Sequence, residues 1–310
     1  MTYKSSRFYR AVSKTLKRVW NKPLRRFKRY VIPALWRYGP RAWWARYRHL
    51  LLARSLRGKP GGLSPQFKCG GKLISVLLPS RGRPAGLFNA VSSLVVRCDN
   101  PQSVEILIRL DDDDIESQKA VEYMNGMFGD TTSIRTIIGP RGDGYIALHK
   151  FVEELCAVAR GDFLLLFNDD VLMDTNGWDS EFGRFRNELC VLRLRSPMPR
   201  ECSHLTAFPA VHRKLHQIIG HFSLNGFCDA WIQDISRGAG IERRCRVRVT
   251  HKQKYDNMDA TAREAVNTFT TLQNQLDSFE QKELRNADLA KVKSYLDRHG
   301  VQLQRIESAS

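Results

Sequence analysis

The run Gly161-Asp162-Phe163-Leu164-Leu165-Leu166-Phe167 stops abruptly at Asn168-Asp169-Asp170. An unbroken stretch of large apolar residues leaves no polar face, so Phe163–Phe167 reads as a strand buried on both sides, as in a parallel sheet covered by helices. In open α/β sheets, ligands collect just beyond the carboxyl ends of such strands. Adjacent carboxylates at that edge repel one another unless donors or a cation compensate them. Hard oxygen ligands suit Mg²⁺ or Mn²⁺ shared with phosphates. The competing reading is an N-cap cluster for a helix opening at Val171.

The rest of the central region repeats the pattern. Lys72–Pro79 predicts a first buried strand, followed by Ser80-Arg81-Gly82-Arg83-Pro84 and a helix over residues 85–97. Val104–Leu110 predicts a second strand ending in Asp111-Asp112-Asp113-Asp114, then come a helix over 115–128, a strand over Ser133–Ile138 and a helix over 145–159. Strands alternating with helices through short connections imply a mostly parallel α/β sheet with helices on both faces. The charged loops after its strands converge on one crevice. Ser80, Arg81 and Arg83 suit phosphate through charge-assisted bonds. Arg141-Gly142-Asp143-Gly144-Tyr145 is a turn whose free amides could do the same, although two glycines are a weak signal. The four aspartates read either as a solvated acidic loop or as hydrogen-bond acceptors for a nucleotide base or sugar.

Charge is distributed unevenly. Residues 1–60 contain 18 Lys/Arg and no Asp/Glu, so the formal +18 of the chain resides there and the remainder is neutral. Four of the six tryptophans also lie in this arm, interleaved with the basic residues, and Pro23, Pro33 and Pro40 divide it into short predicted helices. Trp and Tyr at the headgroup boundary and Lys/Arg near anionic lipid favour an anionic membrane surface as partner. Nucleic acid and simple packing on the next domain are the alternatives, with nucleic acid the weaker of them. Residues 61–71 read as a Gly/Pro linker, 72–259 as the α/β domain, and 260–310 as a helical extension that packs on the domain or a partner. Seven scattered cysteines without a CxxC pair suggest a reducing compartment, hence a cytoplasmic protein peripheral to a membrane.

Together these residues resemble the GT-A glycosyltransferases, among them the family 2-like branch, over about residues 72–255. The resemblance rests on Ile74–Pro79 with Ser80–Pro84, the strand ending at Asp111-Asp112-Asp113, the turn Gly142–Tyr145, and Ala159–Asp162 leading to Asn168-Asp169-Asp170. It implies a Rossmann-like GT-A fold and a nucleotide-sugar donor held by Pro79, Ser80, Arg81, Arg83, Asp111, Asp112, Asp113, Arg141, Tyr145, Asn168 and Asp169. Asn168 would face the ribose, Asp111 or Asp112 would read the base, and Asp170 would bind Mn²⁺ or Mg²⁺. Asn168 stands where the family more often has Asp, which removes one negative charge from the metal end. Downstream, Gly226–Asp234 with Arg237–Gly240 looks like the family's acceptor-side helix, which opens with an acidic base. Spacing favours Asp229 over Asp234 for that role, although Cys228 stands where the family has Glu and a helix-capping role is the alternative. Arg246–His251 alternates as an edge strand and ends in a histidine that the resemblance makes a second metal ligand. His204, His212, His216 and His221 carry no assigned role.

The resemblance therefore implies a metal-dependent transfer of sugar to a hydroxyl acceptor, with inversion favoured and retention the alternative. The other readings are a catalytically degenerate binding protein of the same fold and a nucleotidyltransferase. The last is disfavoured because no Gly-rich, Lys-bearing phosphate loop follows the first strand.

Overall fold

A computed structural model describes residues 72–196, 205–251 and 260–299. The basic arm and the linker expected over 61–71 lie outside the described residues. Within them the α/β alternation is present as β1 (Ile74–Pro79), α1 (Pro84–Val96), β2 (Val104–Asp111), α2 (Ile115–Phe128), β3 (Ser133–Gly139), α3 (Leu148–Val158) and β4 (Phe163–Leu166). There follow β5 (Val171–Met173), α4 (Trp178–Gly183), β6 (Val191–Arg195), β7 (Ala210–His212), α5 (Arg213–Ile219), α6 (Cys228–Gly238), β8 (Glu242–His251), α7 (Ala260–Asp277) and α8 (Phe279–Arg298).

Eight strands form one sheet in the order β3-β2-β1-β4-β7-β6-β8-β5. β3, β2, β1 and β4 are parallel, β7 runs antiparallel to β4 and β6, and β8 lies parallel to β6. Register explains why β1 carries no polar face. Leu77 sits opposite Leu107 and Leu166, in a buried cluster with Val152, Leu155, Trp231 and Ile232 from the covering helices. Val76, opposite Ile106 and Leu165, points the other way and is equally buried. Each such side chain contributes about 1.5–3 kcal/mol on transfer from water, and the double coverage is what a continuous apolar run predicts.

A polar clamp fixes the entry to β4. Glu105, wholly buried in β2, accepts from Ser75 Oγ at 2.6 Å, from the Arg160 amide at 2.6 Å and from Arg135 at 2.9 Å. The Gly161 amide donates to Ser75 Oγ at 2.7 Å. Gly161 has no room for a Cβ, because the backbone of Ile74 and Ser75 occupies that space. β4 is thereby held against β1, and its carboxyl end is set beside the loop after β1.

Two expectations change. Val171 opens a strand and not a helix, which removes the N-cap reading of Asn168-Asp169-Asp170. The last strand starts at Glu242, four residues before the expected Arg246, because β6 supplies it with a partner from Val191 onward. The C-terminal extension packs on the domain. Gly238 of α6 lies against Leu289, Trp231 Nε1 donates to Asp288 at 3.3 Å, and Lys291 donates to the Ile219 carbonyl at 3.1 Å. Among the described residues no helix is long and apolar enough to cross a membrane.

Candidate active site

The carboxyl ends of β1, β2 and β4 bring the sequence-predicted residues together in two adjoining clusters. The first lies between β1 and β2. Asp111 is buried and held from two sides, by Arg81 at 2.7 Å and by Arg109, its neighbour two residues back on the same strand. Arg109 is buried too. Its guanidinium also meets Glu154 at 3.1 Å and the Pro140 carbonyl at 2.7 Å, and it stacks over the Phe151 ring with 4.2 Å to the centroid. Arg presents a planar fork of donors that can serve several acceptors at once, which is why it tolerates burial here.

The other aspartates of the run divide the remaining work. Asp112 and Asp113 are exposed; Asp113 pairs with Arg81 at 3.5 Å and lies 3.7 Å from Arg141. Asp114 caps α2 through the Ser117 amide and also accepts from the Gly82 amide at 2.6 Å. Tyr145 lies in a short 3₁₀ turn, Gly144–Ala147, that leads into α3. Pro79 ends β1, and the Ser80 amide donates to the Arg109 carbonyl at 3.0 Å. The loop after β1 is thus tied to the loop after β2.

The second cluster lies between β4 and β8. Asp169 and Asp170 form the turn between β4 and β5, and their side chains face different ways. Asp169 turns inward: Ser80 Oγ donates to it at 2.7 Å and Arg83 at 3.0 Å, and burial nevertheless raises its pKa to about 6. Asp170 turns toward β8. Its Oδ2 lies 3.4 Å from Arg83 and 3.3 Å from His251 Nε2, while its Oδ1 is buried without a hydrogen-bond partner among the described residues. The pairing of Val171 with His251 in the β5–β8 ladder places the imidazole there. Asn168 is half-buried at the turn, with its carbonyl accepting from the Val171 amide at 3.2 Å. A carboxylate oxygen left without a partner, with an imidazole nitrogen beside its twin, fits a hard divalent cation that takes its remaining ligands from phosphate.

Asp229 lies in the first turn of α6, where its Oδ1 accepts from the Ala230 amide at 2.9 Å. Burial raises its pKa. Asp234 faces elsewhere: it is exposed and paired with Arg285 of α8 at 3.0 Å. The tightest group of metal-ligating side chains among the described residues is a different one, Glu153, Cys156 and His216, on α3 and α5. There Glu153 accepts from the Phe222 amide at 2.9 Å and meets His216 at 3.0 Å, so the carboxylate already has partners.

Sequence reasoning missed Arg109 and Glu154. The signal was a single cation inside the apolar run Ile106-Leu107-Ile108-Arg109-Leu110, since a charge on a doubly covered strand needs a buried partner.

This arrangement is a GT-A-like fold, the fold of nucleotide-sugar glycosyltransferases. A mannosyltransferase from Pyrobaculum calidifontis, in complex with GDP-Man and Mn²⁺, aligns with 83% of this chain and 84% of its own at a TM-score of 0.53 and 12% identity. The 1–349 fragment of S. aureus TarS in complex with UDP aligns over 73% of this chain and 71% of its own, with a TM-score of 0.45 and 14% identity. No protein-family model matches the chain, and no curated protein does.

Proposed function

We propose that the protein is a metal-dependent glycosyltransferase that moves a sugar from a nucleotide-sugar donor to a hydroxyl acceptor with inversion. The observation that carries this reading is Asp170: on a GT-A-like sheet its unpartnered Oδ1 stands at the carboxyl end of β4, with His251 Nε2 within 3.3 Å of the other oxygen. Asp170 and His251 would hold Mn²⁺ or Mg²⁺. Such a cation, when bound, supplies charge compensation to the diphosphate of the departing nucleotide.

The chain's own residues account for the remaining roles. Asp111, oriented by Arg81 and Arg109, accepts from the base, with Asp112 and Asp113 at the open rim. Asn168 offers an amide to the ribose. Arg141 and the turn at Tyr145 lie along the path of the phosphates. Asp229 takes the acceptor proton, and its raised pKa suits that role because a stronger base accepts a proton more readily from a hydroxyl. Asp234, bound to Arg285, keeps α6 docked on α8. The arm over residues 1–60 would hold the enzyme at an anionic membrane surface on the cytoplasmic side.

A panel of UDP-, GDP-, dTDP- and CMP-sugars, tested with and without Mn²⁺ for binding and turnover, tests the reading. One donor class should bind and be consumed in a metal-dependent manner. Binding of a nucleotide-sugar without any turnover would favour the degenerate binding protein.

A further inference from the structure

α3, α7 and α8 border an open cleft that no part of the donor site uses. Its volume is about 770 Å³, within the range of small-ligand sites. The first turn of α3 contributes His149 and Lys150, the loop before α6 contributes Asn225, and the corner between α7 and α8 contributes Asn274, Gln275 and Gln281. Four of these six are side-chain amides, each with two donors and an acceptor. Such walls match a ligand whose hydroxyls both donate and accept, while Ile146 and Leu224 offer apolar surface to its carbon-bound faces.

A buried atom at this cleft, Gln281 Oε1 on α8, lacks a hydrogen-bond partner among the described residues. Leaving such a group unpaired costs about 1–3 kcal/mol, which points to a partner brought from outside. The local sequence sharpens the case of Gln281. Ser278-Phe279-Glu280-Gln281 has the form of a capping box, and Ser278 does accept from the Gln281 amide. The return bond is blocked because the Ser278 amide already donates to the Gln275 carbonyl at 3.1 Å, which leaves Gln281 Oε1 to the cleft. Burial, then the charge of Lys150, lowers the pKa of His149, and a hydrogen bond with the Ile146 backbone opposes that shift.

The cleft lies beside the acceptor-side helix. Gly226 on its wall packs so closely against the Tyr145 carbonyl and the Leu272 side chain that a Cβ has no space, and Asp229 follows three residues later. We propose that this cleft is a saccharide subsite that holds sugar units of an acceptor glycan beyond the unit that receives the transferred sugar. The proposal rests on the transferase reading for its role, but saccharide binding itself needs no donor.

The test is saturation-transfer NMR on the full-length protein without donor, using neutral oligosaccharides of two to six units built from glucose, mannose, galactose or N-acetylglucosamine. At least one should bind. Gln281→Leu should weaken that binding about tenfold, and exposed Asn274→Ala, which leaves the core untouched, should weaken it in the same direction. Binding of UDP and GDP is measured in parallel, so failure of the transferase reading would show there and not in the saccharide signal. No saccharide bound by the wild-type protein, or equal binding by both variants, would overturn the subsite.

Discussion

Arg109→Met removes the charge that the site's buried architecture depends on while keeping an apolar stem of similar length. In the wild type the guanidinium serves Asp111, Glu154, the Pro140 carbonyl and the Phe151 ring together. Breaking a buried pair by deleting one partner costs about 3–5 kcal/mol, and the ring contact adds about 1 kcal/mol. Arg81 remains 2.7 Å from Asp111 but is itself partly exposed, so it offsets part of the loss. The expected destabilisation is therefore about 3 kcal/mol, read as a lower denaturant midpoint at an unchanged slope in chemical unfolding. Asp111→Asn in the same background should recover about half of it, because the uncompensated charge is then gone. A loss below about 1 kcal/mol, or a double variant less stable than the single, would refute the view that Arg109 and Asp111 form a stabilising buried pair.

Asp229→Asn should lower turnover about 10²–10⁴-fold with donor affinity preserved, whereas Asp234→Asn should mainly loosen α8; the reverse ranking in steady-state kinetics would move the base. Burial raises the Asp229 pKa, so the ionised base is lost on acidification at a higher pH than for an ordinary carboxylate, and turnover should fall correspondingly early. The same shift means that the folded state disfavours the charge. Wild-type stability relative to Asp229→Asn should therefore decline as pH rises through the ordinary Asp range to the raised pKa, and a pH series of thermal melts checks the sign. His251→Ala should weaken Mn²⁺ binding, measured by calorimetry with the donor nucleotide present, and an unchanged titration would return His251 to a structural role. The full-length protein should bind anionic vesicles with strong salt sensitivity, and a variant lacking residues 1–60 should not; equal binding by both would refute the arm as an anchor.

The parts of the fold written in local pattern were legible. β1 and β4 are largely apolar on both faces because helices cover both, and such runs read directly from the chain. β8 was only half legible: its first residues are Glu242, Arg243 and Arg244, whose strand state depends on pairing with β6 and not on alternation. The helical character of α8, one helix of 20 residues, was legible in its repeats although Asn286 and its polar neighbours interrupt the apolar spacing. In the site, the strand-end positions of Asp111 and Asp170 could be read from the sequence, because a strand's end can be located. What each carboxylate touches could not. Asp169 turns to Ser80 and Arg83, some 86–89 residues earlier, and Asp234 turns to Arg285; both pairings are set by tertiary packing.

The central claim is that Asp170 holds a divalent cation on a nucleotide diphosphate. Calorimetric titration of the wild-type protein and Asp170→Asn with UDP and GDP, each with Mn²⁺ and with chelator, tests it most directly. One nucleotide should bind the wild type in Mn²⁺ far more tightly than in chelator, and this gain should be absent in the variant while its thermal melt is retained. A gain from Mn²⁺ equal in both proteins, or nucleotide binding indifferent to the metal in the wild type, would contradict it.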